Sequence, residues 1–383
     1  MHSDLHQNSS RNSLNFPHRE GNRIETLVNG DEIFEAMLSA IREARDEILL
    51  ETYIYWDGQI GRQFAESLAA ASQRGVCVCV VIDAYGSTDL GEKLIELMRE
   101  AGVKVHLHRP IEWLNLNKSN HRSHRKLMVV DGTIGFIGGV GIADEWTGEA
   151  RNPNEWRDNH YRIEGPVVSD MHSLFFTHWE SDDARDSSEP TTVTHPDESG
   201  HYRCQLVASD PLHEKCSFLD LYAKLLNGAQ RRVRIISPYF VLNDEFLKLV
   251  EKTAERGVEI EIISAGQHND KRVTRLASRH DWGGLLKAGV RIFEYNKTLI
   301  HVKLFLADDD QLLIGSANFD VRSMTLNEEA SLLVTNRELA SEHHQLFEDD
   351  LACAEEIHYD KWKSRPWTTK AFDSVSHCLR PML

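Results

Sequence analysis

The amino-acid sequence predicts an α/β fold in which two similar domains follow each other along the 383-residue chain. The first observation is a duplicated motif of histidine, any residue, lysine, four further residues and aspartate. It occurs as His124, Lys126 and Asp131 and again as His301, Lys303 and Asp308. The second is that the segments around the two copies resemble each other at an offset of about 180 residues, which suits a duplicated domain. The third is that apolar, β-rich segments alternate with amphipathic ones, which is typical of layered α/β proteins.

The elements of the first half follow one another in this alternating order. In residues 31–46, apolar side chains recur at helical spacing. Residues 48–56 are rich in β-branched and aromatic side chains, which predicts a strand. Residues 90–100 predict a helix that closes at Gly102, and residues 103–108 predict a further strand. The pattern indicates a largely buried sheet covered by helices.

The repeat extends beyond the motif. Residues 48–54 resemble residues 234–240, and Arg74-Gly75-Val76 resembles Arg256-Gly257-Val258, each tripeptide preceding an apolar, β-rich segment. From the composition, about 0.05 copies of the motif are expected by chance, so one copy would be a weak signal. Two copies at equivalent positions of a repeat are a strong one.

The chain length allows two domains, each with its own core. We predict a disordered N-terminus at residues 1–21, because this segment is polar and has no periodicity. The first domain is predicted at residues 22–181, and residues 182–201 form a polar, acidic linker. The second domain is predicted at residues 202–383 and ends in a helical tail. We expect the stretch with Trp362, Arg365, Pro366 and Trp367 to be packed, and an interfacial anchor is the less favoured alternative.

Composition excludes several classes of protein. No run approaches eighteen apolar residues and no apolar signal-peptide core is present, so no transmembrane helix is expected. The six cysteines have no paired CxxC spacing, which fits a reducing cytoplasm. A net charge of −17 disfavours a nucleic-acid binder.

One basic stretch stands apart from the acidic background. Between Lys104 and Lys126, several arginines, lysines and histidines are interspersed with Trp113, Leu114 and Leu116. Such a loop could meet an anionic bilayer surface. An ordinary solvated loop with one buried tryptophan explains the same residues equally well.

The spacing within the motif indicates phosphate chemistry. In an extended segment alternate side chains share a face, so a histidine and a lysine two residues apart point the same way. An imidazole beside an ammonium suits nucleophilic attack on a phosphate ester. The aspartates at the end of each motif, Asp131 and Asp308, are candidates for the catalytic set, although support of the strand-to-turn geometry is the better interpretation.

Together with the residues that follow them, the two motifs resemble the phospholipase D superfamily, and more narrowly the bacterial cardiolipin synthases. The resemblance runs from about Gly21 to the C-terminus and includes Leu50-Glu51-Thr52-Tyr53-Ile54, Trp156-Arg157-Asp158 and Asn318-Phe319-Asp320-Val321-Arg322-Ser323. It implies two similar α/β/α domains related by a pseudo-twofold axis, with one active site shared between them. The absence of membrane spans resembles the short synthase type that lacks N-terminal transmembrane helices.

The resemblance also implies a two-step phosphoryl transfer without a metal or cofactor. His124 is assigned as the nucleophile that becomes phosphohistidine, and His301 as the general acid and base. Lys126 and Lys303 would neutralise the non-bridging phosphate oxygens.

Five further positions follow from the family pattern. Asp158 and Glu328 are assigned as acids that orient the imidazoles, and Ser316 and Asn318 as a phosphate-contacting pair. Gly141 occupies a place where many family members have asparagine, which puts symmetric phosphate binding in doubt.

The sequence therefore predicts a cardiolipin synthase-like phosphatidyltransferase that acts on phosphatidylglycerol as a monomer, bound peripherally to the cytoplasmic face of the membrane. A hydrolytic phospholipase D is the alternative, and a nuclease of the superfamily is disfavoured by the charge and by two motifs in one chain. A catalytically inactive lipid-binding protein is disfavoured because both motifs are intact.

Overall fold

The computed structural model describes residues 15–110, 121–179, 196–211, 218–378 and 380. The first half has seven strands, namely β1 (Asn15–Val28), β2 (Glu47–Thr52), β3 (Cys77–Asp83), β4 (Lys104–His108), β5 (Leu127–Val130), β6 (Ile134–Gly138) and β7 (Asn159–Glu164). Its helices are α1 (Asn29–Glu43), α2 (Gln59–Gln73), α3 (Glu92–Glu100) and α4 (Val167–Trp179). The basic loop with Trp113, Leu114 and Leu116 lies outside the described residues, as do residues 1–14 and most of the predicted linker.

The second half repeats this order and adds elements at its end. Its strands are β8 (Tyr202–Ala208), β9 (Arg232–Ser237), β10 (Glu259–Ala265), β11 (Arg291–Tyr295), β12 (Leu304–Ala307), β13 (Gln311–Gly315), β14 (Ala330–Thr335) and β15 (Ala354–Glu356). Its helices are α5 (Phe218–Gly228), α6 (Asp244–Glu255), α7 (Arg272–Lys287), α8 (Val321–Thr325), α9 (Arg337–Leu351), α10 (Tyr359–Lys363) and α11 (Trp367–Cys378). Among the described residues, no helix has both the length and the apolar character needed to cross a bilayer.

The described strands form one sheet, in the order β15-β11-β10-β9-β12-β13-β14-β8-β1-β7-β6-β5-β2-β3-β4. Outwards from the centre, β1-β7-β6-β5-β2-β3-β4 corresponds strand for strand to β8-β14-β13-β12-β9-β10-β11. The antiparallel pairing of β1 with β8 joins the two halves. An approximate twofold axis therefore passes between these two strands, and the predicted fold class is confirmed.

Helices cover both faces of the sheet. In the first half an apolar cluster fills the space between the sheet and the helices α1–α3, and an equivalent cluster lies beneath α5–α7 in the second half. A third cluster on the opposite face is continuous across both halves and includes α4 and α9. β2 is buried along its whole length, as expected of a strand covered on both faces.

Most of the predicted elements of the first half are present. The helix predicted at residues 31–46 is α1, which buries Ile33, Phe34, Met37, Leu38 and Ile41. The helix at 90–100 and the strand at 103–108 are α3 and β4. The strand predicted at 48–56 ends earlier, because beyond Thr52 the chain turns and Tyr55 bridges to Ile142.

The N-terminal prediction needs correction for the part that is described. Residues 15–21 belong to strand β1 instead of a disordered segment. This strand pairs with β7 of its own half and with β8 of the other half. Its order comes from these distant partners, which the local sequence does not reveal.

Candidate active site

The two motif histidines lie where the two halves of the chain meet. His124 and His301 precede β5 and β12, which are equivalent strands. The backbone N–H of His124 donates to the carbonyl of Glu328 at 2.8 Å, and that of His301 donates to the carbonyl of Arg157 at 2.7 Å. Each histidine is thus fixed by backbone from the opposite half, which brings both to one buried region.

A carboxylate from the opposite half contacts each imidazole. Nδ1 of His301 lies 2.7 Å from Oδ2 of Asp158. Nδ1 of His124 lies 2.9 Å from both carboxylate oxygens of Glu329. Because an ionised carboxylate only accepts hydrogen bonds, Nδ1 donates and Nε2 keeps its lone pair. Nε2 is therefore the atom available for attack or proton transfer.

The acid that contacts His124 is Glu329, which corrects the assignment of Glu328. Gly138 pairs with His160 and Gly315 pairs with Ser331, so this register makes Asp158 equivalent to Glu329. Neighbouring residues of an extended segment point to opposite faces. The carboxylate of Glu328 accordingly lies elsewhere, 3.2 Å from Nε2 of His178 and in contact with Arg109.

The motif lysines lie beside the imidazoles and are buried. Nζ of Lys126 donates to the carbonyl of His124 at 2.9 Å, and Nζ of Lys303 contacts the carbonyl of His301. Nζ of Lys303 also lies 2.7 Å from Nδ1 of His301, so ammonium, imidazole and the carboxylate of Asp158 form one cluster. Burial lowers the pKa of Lys126 to about 7 and that of Lys303 to about 8.

Burial also disfavours protonation of both imidazoles in the free protein. It lowers the pKa of His301 to about 4, with Lys303 adding to the effect, and it lowers the pKa of His124 well below its usual value. Lys271 and Arg322, two cations that the sequence did not single out, act on His124 in the same direction as the motif lysines. Four cations, two of them outside the motifs, therefore act on His124.

The two carboxyl groups differ in their charge. Burial opposes ionisation of Asp158, but Lys303 and His301 together outweigh it and lower its pKa. Burial raises the pKa of Glu329 to about 7, although Lys126 opposes this change. Near neutral pH, Asp158 is fully ionised while Glu329 titrates, so the two halves of the site are electrostatically unequal.

The small residues after each motif approach these carboxylates. Oγ of Ser316 donates to Oε2 of Glu329 at 2.5 Å. Its counterpart Gly139 leaves no room for a side chain, because an added Cβ would lie 2.5 Å from Oδ1 of Asp158. Asp158 is held instead by Nε1 of Trp146, which donates to Oδ2 at 3.0 Å.

A family model described as cardiolipin synthase, PLD-like domain, matches residues 37–156 and 222–351, one match in each half. Cardiolipin synthase 2 of Bacillus anthracis is 33% identical over 94% of this chain and 70% of that protein. Cardiolipin synthase A of Pseudomonas putida is 34% identical over 88% of this chain and 70% of that protein. The chain belongs to the cardiolipin synthase family of PLD-like proteins.

Solved structures agree on the fold. A phosphatidylserine synthase from Haemophilus influenzae covers the whole of both chains with a TM-score of 0.73 at 14% identity. A polyphosphate kinase from Porphyromonas gingivalis covers 86% of this chain and 50% of its own, with a TM-score of 0.56 at 14% identity. At this identity the likeness concerns the fold alone.

Gly141 occupies a position where many family members have asparagine, and the structure gives a steric reason for the glycine. An added Cβ at Gly141 would lie 2.8 Å from Cβ of Ile54, so an asparagine does not fit there. The counterpart Asn318 is buried, and its Oδ1 has no hydrogen-bond partner among the residues that the structure describes. The two halves therefore contribute different groups at this position.

The motif aspartates are separated from the histidines, which corrects their inclusion in the catalytic set. β5 lies between His124 and Asp131 and spans about 13 Å at the usual rise of a strand. The carboxylate of Asp131 accepts from the backbone N–H groups of Arg45, Asp46 and Glu47 at distances from 2.8 to 3.2 Å. Asp308 accepts in the same way from Gln230, Arg231 and Arg232.

Replacing Asp131 with alanine should therefore affect stability and leave catalysis in place. Three backbone donors lose a charged acceptor, so the free energy of unfolding should fall by about 2–4 kcal/mol. Urea denaturation measures this loss, and Asp131→Asn, which keeps one acceptor oxygen, should lose less. A variant that unfolds like the wild type but has no turnover would return Asp131 to the catalytic set.

One cluster near the site combines residue types that also bind metals. His108, His178 and Glu328 are buried, with their ligand atoms within 4.8 Å of one another. Burial and Arg125 oppose protonation of His178, but Glu51 and Glu328 outweigh them and raise its pKa to about 9. His178 also takes part in an ion-pair network, since its Nδ1 lies 2.6 Å from Oε1 of Glu51.

Proposed function

We propose that this protein is a phosphatidyltransferase that transfers a phosphatidyl group between phosphatidylglycerol molecules. The observation that carries the proposal is the pair of buried imidazoles, each held by a carboxylate of the opposite half and each beside a lysine. Such a site suits a reaction with two partial steps on one phosphorus atom. The relatives named cardiolipin synthases support phosphatidyl transfer, and phosphatidylglycerol is the substrate that the family resemblance implies.

In the first step, Nε2 of His124 attacks the phosphorus and the bond to the leaving glycerol oxygen breaks. His301, held as imidazolium in the enzyme–substrate complex by Asp158 and by the bound phosphodiester anion, gives its proton to that oxygen. In the second step, His301 removes the proton from a hydroxyl of a second phosphatidylglycerol. That oxygen then attacks the phosphorus and the P–N bond to His124 breaks. The products are cardiolipin and glycerol, and both histidines return to their initial states.

The unequal carboxyl groups support this order of roles. The general acid must become an imidazolium, which the ionised Asp158 beside His301 stabilises. The nucleophile must remain neutral, and Glu329 beside His124 offers less negative charge because its pKa is about 7. Burial lowers the pKa of His124 well below its usual value, which also favours a neutral nucleophile.

The lysines are proposed to neutralise the non-bridging oxygens, which predicts an alkaline limit to activity. As pH rises through about 7 to 8, the free enzyme loses the charges of Lys126 and Lys303. The value of kcat/KM should therefore fall above this range. Lys126→Arg and Lys303→Arg keep their charge to high pH, so each should move the alkaline limb upwards even where the maximal rate is lower. An alkaline limb that neither variant moves would show that other groups set it.

We further propose that the protein works as a monomer bound peripherally to the cytoplasmic face of the membrane, without nucleic acid as a partner. One chain supplies both histidines and both carboxylates, so a second copy is not needed to complete the site. Phosphatidylglycerol resides in a bilayer, so the site must reach a membrane surface.

The decisive experiment incubates the purified full chain with phosphatidylglycerol vesicles and analyses the extracted lipids. Cardiolipin and free glycerol should form in equal amounts. Phosphatidic acid with little cardiolipin would identify water as the acceptor and the protein as a hydrolase. If neither lipid forms, the proposed lipid chemistry is wrong.

A further inference from the structure

Helix α11 exposes apolar side chains and buries polar ones, which is the opposite of an ordinary surface helix. Its large apolar side chains point outwards, with Trp367 79%, Phe372 66% and Val375 65% exposed. Its buried residues are the polar Asp373 and Ser376. A surface helix of a globular protein normally buries its apolar side and exposes its polar side.

The helix is nevertheless docked firmly on the protein. Asp373 forms an ion pair with Arg365 at 3.0 Å, and the ring of His377 stacks on that of His280 in α7 at 4.3 Å. Nearby, Nε1 of Trp362 donates to the carbonyl of Arg279 at 2.8 Å. The predicted packing of the tail thus holds for Trp362 but not for Trp367. The apolar residues face outwards because polar contacts fix the inner side.

The outer face of α11 is continuous and uncharged. It consists of the exposed residues Trp367, Thr368, Ala371, Phe372, Ser374, Val375 and Cys378. At 3.6 residues per turn these positions share one side of the helix. An exposed apolar patch of this kind, bordered by polar residues, indicates an interaction surface.

The charges along this part of the chain favour an anionic bilayer as its occupant. Lys370 of α11 is exposed, as are Lys361 and Lys363 of the preceding α10, although Lys361 pairs with Glu355 at 3.5 Å. No acidic residue occurs from Lys361 to Phe372, whereas the whole chain has a net charge of −17. Basic residues next to exposed tryptophan and phenylalanine are typical of helices that lie in a membrane interface. A twofold contact between two copies would instead bring the lysines of one copy close to those of the other, and like charges repel.

The position of α11 connects the face to the active site. Beyond the helix, Arg380 donates to the carbonyl of Leu242 at 3.1 Å and pairs with Asp244 at 2.9 Å. Both partners follow β9 and lie near its C-terminal end. β12 runs antiparallel to β9, so His301, which precedes β12, lies at the same end of the strands. The C-terminal end of α11 is therefore close to the end of the sheet at which the reacting groups lie.

We propose that the outer face of α11, with its lysine border, docks on an anionic phospholipid bilayer and holds the active site at the membrane surface. The choice of occupant rests on the proposed function, since only a lipid-modifying enzyme needs this contact for access to its substrate. Trp367 and Phe372 would enter the interfacial region, and the lysines would contact the lipid phosphates.

The test is flotation of the full chain with vesicles of phosphatidylglycerol and phosphatidylcholine in equal parts. The triple variant Trp367→Ser, Phe372→Ser, Val375→Ser should lose vesicle binding by roughly tenfold or more. The single change Trp367→Ser should weaken binding, while Val273→Ser, which alters an exposed apolar residue outside the face, should not. The melting temperature of the triple variant should match that of the wild type, because the changed side chains are exposed.

A soluble substrate separates this proposal from the proposed function. On short-chain phosphatidylglycerol below its micelle concentration, the triple variant should turn over like the wild type, because no docking is needed. If the wild type shows no turnover on either form of lipid, the proposed function fails while the binding result still stands. If the triple variant binds vesicles as tightly as the wild type, the docking proposal is wrong. It is equally wrong if the substitutions only convert a dimer to a monomer.

Discussion

His124→Ala and His301→Ala should each reduce phosphatidyl transfer by roughly 10⁴-fold or more. The reason is that each imidazole serves a separate and necessary part of the reaction, and the phosphorylated nucleophile cannot also move a proton. Nε2 of each ring is the reactive atom because Nδ1 is engaged by Glu329 or Asp158. The measurement is the rate of cardiolipin formation from phosphatidylglycerol vesicles.

Labelled lipid distinguishes the two roles. Rapid quenching should trap phosphorus label on the peptide that contains His124, and the His124→Ala variant should trap none. Label on the His301 peptide would reverse the proposed order. The exposed His201, which pairs with Glu338 at the surface, provides the matched control, and His201→Ala should keep full activity.

The second large effect is expected from a pair of adjacent glutamates. Glu329→Gln should lower turnover on the order of 10³-fold, because the amide no longer holds the imidazole of His124 as a carboxylate does. Glu328→Gln should instead lower the free energy of unfolding by about 3 kcal/mol, because the buried His178 and the partly buried Arg109 lose their counter-charge. Turnover per folded molecule should remain close to that of the wild type.

These two variants differ by a single position, which makes the comparison sharp. Kinetics with vesicles and urea denaturation should be measured on both. A loss of turnover in stable Glu328→Gln protein, with normal turnover in Glu329→Gln, would restore Glu328 as the acid that orients His124. Asp158→Asn should resemble Glu329→Gln, since Asp158 holds the other imidazole.

Much of the architecture could be predicted because local rules decide it. The apolar residues of α1 recur at helical spacing, and all of them are buried in the structure. The duplicated order of segments predicted two equivalent halves, and the strand order repeats accordingly. The spacing of His301 and Lys303 predicted that both side chains lie on one side of the chain, and Nζ of Lys303 lies 2.7 Å from Nδ1 of His301.

The remaining features depend on distant contacts. Asp158 and Glu329 are equivalent only through the pairing of β6 with β7 and of β13 with β14. Comparison of the sequences matched Tyr161 with Ser331, whereas the strand pairing matches His160 with Ser331, so the acid was placed one residue too early, at Glu328. A better signal would have been the acid directly before the first residue of each strand, Asn159 or Ala330.

Other misassigned residues have the same origin. The carboxylate of Asp131 turns towards backbone donors about eighty-five residues earlier in the chain, which no spacing rule within the motif could indicate. Strand β1 is ordered by β8, nearly two hundred residues later. The outward orientation of Trp367 depends on how Asp373 and His377 fix the inner side of α11.

The crossed contacts between imidazoles and carboxylates restrict how this protein can be recombined. His124 belongs to the first half and Glu329 to the second, whereas His301 belongs to the second and Asp158 to the first. A chimaera that takes one half from a relative therefore contains two hybrid pairs and no parental one. Exchange of a single half therefore tests both pairs at once. To keep the parental pairs, the contacting residues of both halves must be exchanged together.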